Sequence, residues 1–223
     1  VKSIRLLLVD DHKIMRDGLR SLLSEEEGLE VVGEAKEGRQ AVQMARRLRP
    51  DLVLMDLSMP DLNGIEATRQ ILEAGEGCRV LALSMHRDPR FVAGVLEAGA
   101  HGYLVKDCDA SELLGAISMV YQGRTYLSPE VTDVVVKGFV GRLQTDGAHP
   151  PASALSPRER EVLQLLAEGC SVREIAGRLH LGQKTVETHR RNLMEKLGIN
   201  NLVDLIRYAL REGICSLDDW LSY

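Results

Sequence analysis

The chain has 223 residues, 44% hydrophobic and 27% charged, which suits one large domain or two small ones with buried cores. Its 28 Lys and Arg against 33 Asp and Glu give a net charge of −5, which argues against a general polyanion binder while leaving room for a local basic surface. No apolar run approaches the ~18 residues that span a bilayer. Cys78, Cys108, Cys170 and Cys215 lie far apart, with no C-x-x-C pair and no histidine at zinc spacing. The expectation is a soluble cytoplasmic protein with reduced thiols, no signal peptide and no membrane partner.

The first half alternates two periods. Short, nearly continuous apolar runs occur at Ile4–Val9, Leu29–Val32, Leu52–Met55, Val80–Leu83 and Tyr103–Val105. Amphipathic stretches of helix length lie between and after them, at Met15–Leu23, Ala41–Leu48, Ile65–Leu72, Phe91–Leu96 and Leu113–Tyr121. Strands that are apolar throughout are covered on both faces. Five strands alternating with five helices predict an α/β doubly wound parallel five-stranded sheet over residues 1–125.

Pro129–Leu143 reads as one further helix, and Gln144–Ala154 is a small, polar, Pro-containing linker, so 126–154 connects two domains. From 155 to 223 the strand pattern is gone. Ser156-Pro157-Arg158-Glu159 and Ser171-Val172-Arg173-Glu174 are capping boxes, the first with proline at the first helical position. A third helix is predicted over Gln183–Leu197, stopping at Gly198, and a fourth from near Asn201 to before Gly213. This half is expected to be a small all-α four-helix domain of helix-turn-helix type.

Chemistry gathers where the predicted strands end. Asp10 and Asp11 follow the first strand, Asp56 the third, Ser84 the fourth and Lys106 the fifth. Ligands of open parallel sheets bind beyond these carboxyl ends. Three converging carboxylates repel one another and favour a hard cation such as Mg²⁺. A carboxylate beside such an ion can attack a phosphoryl group, with metal and lysine neutralising its oxygens. Asp56, at the end of a buried central strand, is the best nucleophile.

The motifs LLLVDDH, LMDLSMPDLNG with Pro60 and Gly64, RVLALS and HGYLVKD, in that order, resemble the receiver domain of two-component response regulators, the CheY-like fold, over roughly the first 125 residues. The resemblance implies that Asp56 accepts phosphate from a sensor histidine kinase. It implies that Asp10, Asp11, Asp56 and the backbone carbonyl of Ser58 hold Mg²⁺, that Lys106 binds the phosphoryl group, that Ser84 swings toward it, and that Tyr103 turns inward in response. A phosphatase with an aspartyl nucleophile is the rival reading; it commonly has a carboxylate two residues after the nucleophile, where this chain has Ser58. The chain is accordingly read as a phosphoacceptor with Mg-assisted self-phosphorylation chemistry rather than a turnover enzyme.

In the second half, Val186, Leu193 and Leu197 form one stripe of the third helix, and Lys184, Glu187, Thr188, Arg191 and Glu195 another. The first should pack inward and the second should be free to enter a major groove. Arg173, Lys184, Arg190, Arg191 and Lys196 are candidate phosphate contacts. LSPREREVLQLLAEGCSVREIAGRL followed by KTVETHRRNLMEKLG resembles the LuxR/NarL-type DNA-binding domain over about Leu155 to Glu212. That resemblance puts Glu187, Thr188 and Arg191 at base-reading positions and Lys184, Thr185 and Arg190 near the backbone. It makes Val186 a buried residue and His189 a structural or phosphate-facing one. Gly182 stands where the family commonly has a serine cap. Glu187 either accepts a hydrogen bond from a cytosine amino group or faces solvent. The implied partners are promoter DNA, a second copy of the chain on that DNA, and RNA polymerase. The fourth helix, Leu202 to Leu210, is either the dimer contact or the last wall of the small core.

Overall fold

The structure, a computed structural model, describes residues 3–75, 77–132 and 155–215. The chain divides into two compact units, Val1–Val140 and Gly141–Tyr223. The first contains strands β1 (Ile4–Val9), β2 (Leu29–Ala35), β3 (Leu52–Asp56), β4 (Arg79–Ser84), β5 (Gly102–Val105) and β6 (Tyr126–Leu127). Its helices are α1 (Lys13–Ser24), α2 (Gly38–Leu48), α3 (Gly64–Glu73), α4 (Pro89–Glu97) and α5 (Ala110–Tyr121). All strand pairs are parallel, in the order β2-β1-β3-β4-β5-β6.

The sheet thus has six strands, not the expected five. Tyr126–Leu127 adds an edge strand to β5, so the first unit runs past residue 125. Two residues are too few to show a period, and only pairing reveals the strand. The chain enters a helical turn at 129–132; the rest of the expected Pro129–Leu143 helix and the Gln144–Ala154 linker lie outside the described residues.

Apolar residues on every strand build two cores, one on each face, because successive side chains point to opposite sides. Leu7, Val9, Val53, Met55, Val80, Ala82, Tyr103 and Val105 pack under α2, α3 and α4. Leu6, Leu8, Leu52, Leu54, Leu81, Leu83 and Leu104 pack with α1 and α5. The strand order reverses beside β1, between β1 and β3, and this leaves a crevice at their carboxyl ends.

Short polar side chains start most of the helices. Asn63, Asp88 and Asp109 accept N–H bonds at the starts of α3, α4 and α5. The start of α3 also presses on the end of β3. A Cβ at Gly64 would lie 1.9 Å from the Asp56 carbonyl oxygen, and the Gly64 N–H donates to the Leu57 carbonyl at 3.0 Å.

The second unit has helices α6 (Pro157–Ala167), α7 (Val172–Leu179), α8 (Gln183–Leu197) and α9 (Leu202–Arg211), with no strand among its described residues. Both predicted capping boxes are present, on Ser156/Glu159 and Ser171/Glu174. Gly182 caps α8 through its backbone alone, its carbonyl accepting from the N–H groups of Thr185 and Val186 at 2.9 and 3.1 Å. Helix α8 stops at Gly198, which is left-handed at φ 65°. Ile175, Leu179, Val186, Leu193, Leu197, Leu205 and Tyr208 belong to one core.

The contact at Gly64 makes a prediction. Gly64→Ala should lower stability by at least about 2 kcal/mol, because the methyl has to displace backbone. Urea denaturation measures this, and an unchanged midpoint would mean that the turn after β3 yields freely.

Candidate functional site

The crevice collects the predicted residues from four strand ends. Asp10 and Asp56 are 1% and 2% exposed, and Ser84 is buried beside them. Lys106 sends its ammonium between the two carboxylates, with Nζ 2.7 Å from Asp10 Oδ2 and 2.9 Å from Asp56 Oδ2. The contact to Asp10 is a hydrogen bond; the one to Asp56 is an ion pair without hydrogen-bond geometry. Asp56 Oδ2 is a buried carboxylate oxygen whose close partner is that ammonium.

The other oxygens are held by backbone. The His12 N–H donates to Asp10 Oδ1 at 2.8 Å, and the Ser58 N–H to Asp56 Oδ1 at 3.3 Å. The N-terminus of α1 opens on this acidic cluster, so its dipole favours the negative charge there. Asp11 is exposed at the rim, and His12 Nδ1 lies 2.8 Å from Asp11 Oδ1.

Electrostatics follow from burial. Desolvation, opposed by Lys106 and assisted by Asp10, raises Asp56 from an ordinary 3.8 to about 6. Burial pulls Lys106 down, but Asp56 and Asp10 outweigh it and hold the ammonium above its usual value. Burial also pushes the Tyr103 phenol up to about 12.

Fit to a cation can be judged from the donors. One ligand atom each from Asp10, Asp11, His12 and Asp56 lies within 4.8 Å of the others. Three are carboxylates, the oxygen donors a hard Mg²⁺ ion takes. These residues fit the ion.

Two histidines escaped the sequence reading. His12 is the fourth member of the cluster, signalled only by its adjacency to Asp10-Asp11. His86 follows Ser84 by two residues, and its N–H donates to Ser84 Oγ at 3.1 Å. Its ring stacks on Phe91 at 4.4 Å, and Nε2 lies 3.0 Å from Ser58 Oγ. It thereby ties the turn after β3 to the turn after β4. Tyr103 is fully buried, and its hydroxyl donates to the His86 carbonyl at 2.7 Å, so it occupies the inward position.

In the second unit the two stripes of α8 separate as expected. Val186, Leu193 and Leu197 are buried; Lys184, Thr185, Glu187, Thr188 and Arg191 are exposed; Arg190 is half-buried. Thr188 donates its hydroxyl proton to the Lys184 carbonyl at 2.9 Å, which leaves that oxygen an acceptor only. Lys196, a candidate phosphate contact, is half-exposed and pairs with Glu159 at 2.7 Å, which ties α8 to the capping box of α6. Helix α9 buries Leu205, Tyr208 and Ala209, while Leu202 and Val203 are 41% and 59% exposed. No helix among the described residues is long and apolar enough to cross a membrane.

The raised Asp56 predicts a titration. In metal-free protein its carboxyl should titrate near pH 6 by carbon NMR. Because folding raises this pKa, its contribution to stability is full below about 3.8 and is lost as pH rises through about 6. A midpoint at or below 4 would contradict the desolvated pocket.

Comparison with known proteins agrees with both units. The family model described as response regulator receiver domain matches residues 6–118, and that of bacterial regulatory proteins, luxR family, matches 153–209. The chain is 35% identical to the transcriptional regulatory protein DegU of Brevibacillus brevis, covering 95% of this chain and 94% of that one. It is 36% identical to the response regulator UvrY of Escherichia coli strain K12, covering 96% and 97%. Among solved structures it resembles RcsB from Salmonella enterica serovar Typhimurium bound to promoter P1flhDC with the phosphomimetic BeF3−. That likeness has a TM-score of 0.59 at 28% identity, over 93% of this chain and 98% of that one. The chain belongs to the response regulators, with a receiver domain followed by a DNA-binding domain of the LuxR type.

Proposed function

We propose that the protein is a cytoplasmic, phosphorylation-controlled transcriptional regulator in which Asp56 takes a phosphoryl group from a sensor histidine kinase. The observation that carries this is the Lys106 ammonium set between the buried carboxylates of Asp10 and Asp56. A buried carboxylate at a strand end, with an ammonium beside it to take up charge on the incoming group, is placed for attack on phosphorus. Its oxygen forms the bond to phosphorus as the phosphorus–nitrogen bond of the phosphohistidine breaks, and that electron pair leaves with the imidazole. Asp10, Asp11, Asp56 and the Ser58 backbone carbonyl would hold Mg²⁺. When bound, the ion supplies charge neutralisation for the phosphoryl oxygens.

Phosphorylation adds roughly −1.5 to −2 charge at Asp56. Lys106 then passes from a carboxylate to the phosphoryl oxygens, and the Ser84 hydroxyl donates to them. These partners exist only in the phosphorylated state, so they favour one of two receiver conformations.

The output is promoter DNA. Glu187, Thr188 and Arg191 read bases, and Lys184, Thr185 and Arg190 hold the backbone. Two copies pair through the exposed Leu202 and Val203 of α9, which serves the small core with its other face. They then read half-sites about one helical turn apart. RNA polymerase is the onward partner. The relatives named as transcriptional regulators and the RcsB–promoter complex support this reading.

Acetyl phosphate with Mg²⁺ should add one phosphoryl group to the full chain, read by intact mass, and none to Asp56→Ala. Stoichiometric uptake by that variant would place the acceptor elsewhere.

A further inference from the structure

We infer that Ser128, held by Glu112, is a positioning residue for Lys106. The argument starts from the ladder between β5 and β6. The Tyr126 N–H donates to the His101 carbonyl and the Ser128 N–H to the Tyr103 carbonyl, at 3.3 and 2.9 Å. The next rung of a parallel ladder would bring the Val105 N–H to the Ser128 carbonyl. That carbonyl is turned away, accepting instead from Val131 and Thr132 N–H at 2.9 and 3.2 Å as the chain enters its helical turn. The Ser128 side chain takes the vacant place: Oγ accepts from the Val105 N–H at 3.1 Å. The final amide of β5, one residue before Lys106, therefore rests on a hydroxyl rather than on strand backbone.

That hydroxyl is itself fixed. Ser128 is fully buried, and its proton goes to Glu112 Oε1 on α5 at 3.2 Å. The same oxygen accepts the Tyr126 hydroxyl at 2.7 Å. One carboxylate thus holds both hydroxyls of the edge strand. Ser128 grips Tyr103 through its N–H, the end of β5 through its Oγ, and the chain leaving the receiver through its carbonyl. On the far side of the strand, the Lys106 N–H donates to the Ser84 carbonyl at 2.9 Å. Lys106 reaches Asp10 and Asp56 from a strand end braced on two sides, and Ser128 supplies the brace away from β4.

The inference rests on Asp56 being the phosphoryl acceptor. Its test uses a split that general loosening does not give. Lys106 competes with a divalent cation for Asp10 and Asp56 oxygens, so a drifting β5 end should slow phosphoryl uptake while Mg²⁺ binding holds or tightens. Acetyl phosphate uptake at saturating Mg²⁺ and calorimetric titration with MgCl2 alone are measured on the full chain. Ser128→Ala should lower the uptake rate by about tenfold to a hundredfold, the upper figure being what a misplacement of about 1 Å costs, with Mg²⁺ affinity undiminished. Glu112→Ala should do the same. Glu112→Gln, which keeps the accepting oxygen, should stay within about twofold of wild type, and this pair decides the matter if Ser128→Ala fails to fold. Unchanged uptake in Ser128→Ala and Glu112→Ala would overturn the inference. So would uptake and Mg²⁺ affinity falling together, with Glu112→Gln no better than Glu112→Ala. Wild-type protein that takes up no phosphoryl group would instead remove the reading of Asp56.

Discussion

One buried ammonium between two buried carboxylates sets the terms for the receiver. Without Lys106, Asp10 and Asp56 would face each other nearly free of solvent, and like charges in that setting repel strongly. The lysine does not offset everything: burial, with Asp10 adding to it, still raises Asp56 to about 6. The pocket is a place where charge is gathered and incompletely compensated. Such a place favours an added cation. Everything around it serves to hold that arrangement: the two-faced apolar sheet, the close approach of Gly64 to β3, and the brace on β5 at Ser128.

How much of this the sequence shows depends on the range of the interaction. The strands were legible because runs such as Leu52–Met55 and Val80–Leu83 must be apolar on both faces. The helix starts were legible because a cap is local: Ser156 and Glu159 stand three residues apart and find each other as expected. The strand Tyr126–Leu127 was not, because two residues carry no period and the strand exists only through β5. β2 was read short at Val32, where the apolar run ends, yet the strand continues to Ala35.

The sites divide the same way. Asp10, Asp56, Ser84 and Lys106 were legible because strand ends converge in any open parallel sheet, and the structure brings all four together. His86 was missed because its contact with Ser58 spans 28 residues and no motif marks it. Lys196 was one of five candidate phosphate contacts on the helices of the second unit. Its pairing with Glu159 across 37 residues is a tertiary fact. The exposed stripe of α8 was legible from spacing, but the donation by Thr188 to its own helix, which leaves it an acceptor only, needed atomic positions.

The central claim is that charge chemistry at Asp56 governs what α8 does on DNA. The most direct test is binding of the full chain to genomic DNA fragments at one stated salt concentration, with and without acetyl phosphate and Mg²⁺, beside Asp56→Ala. The account predicts selective binding that tightens on phosphorylation by about fivefold to 150-fold, the range of a typical coupling between sites, and no tightening in the variant. Selective binding of equal strength with and without phosphorylation would contradict it.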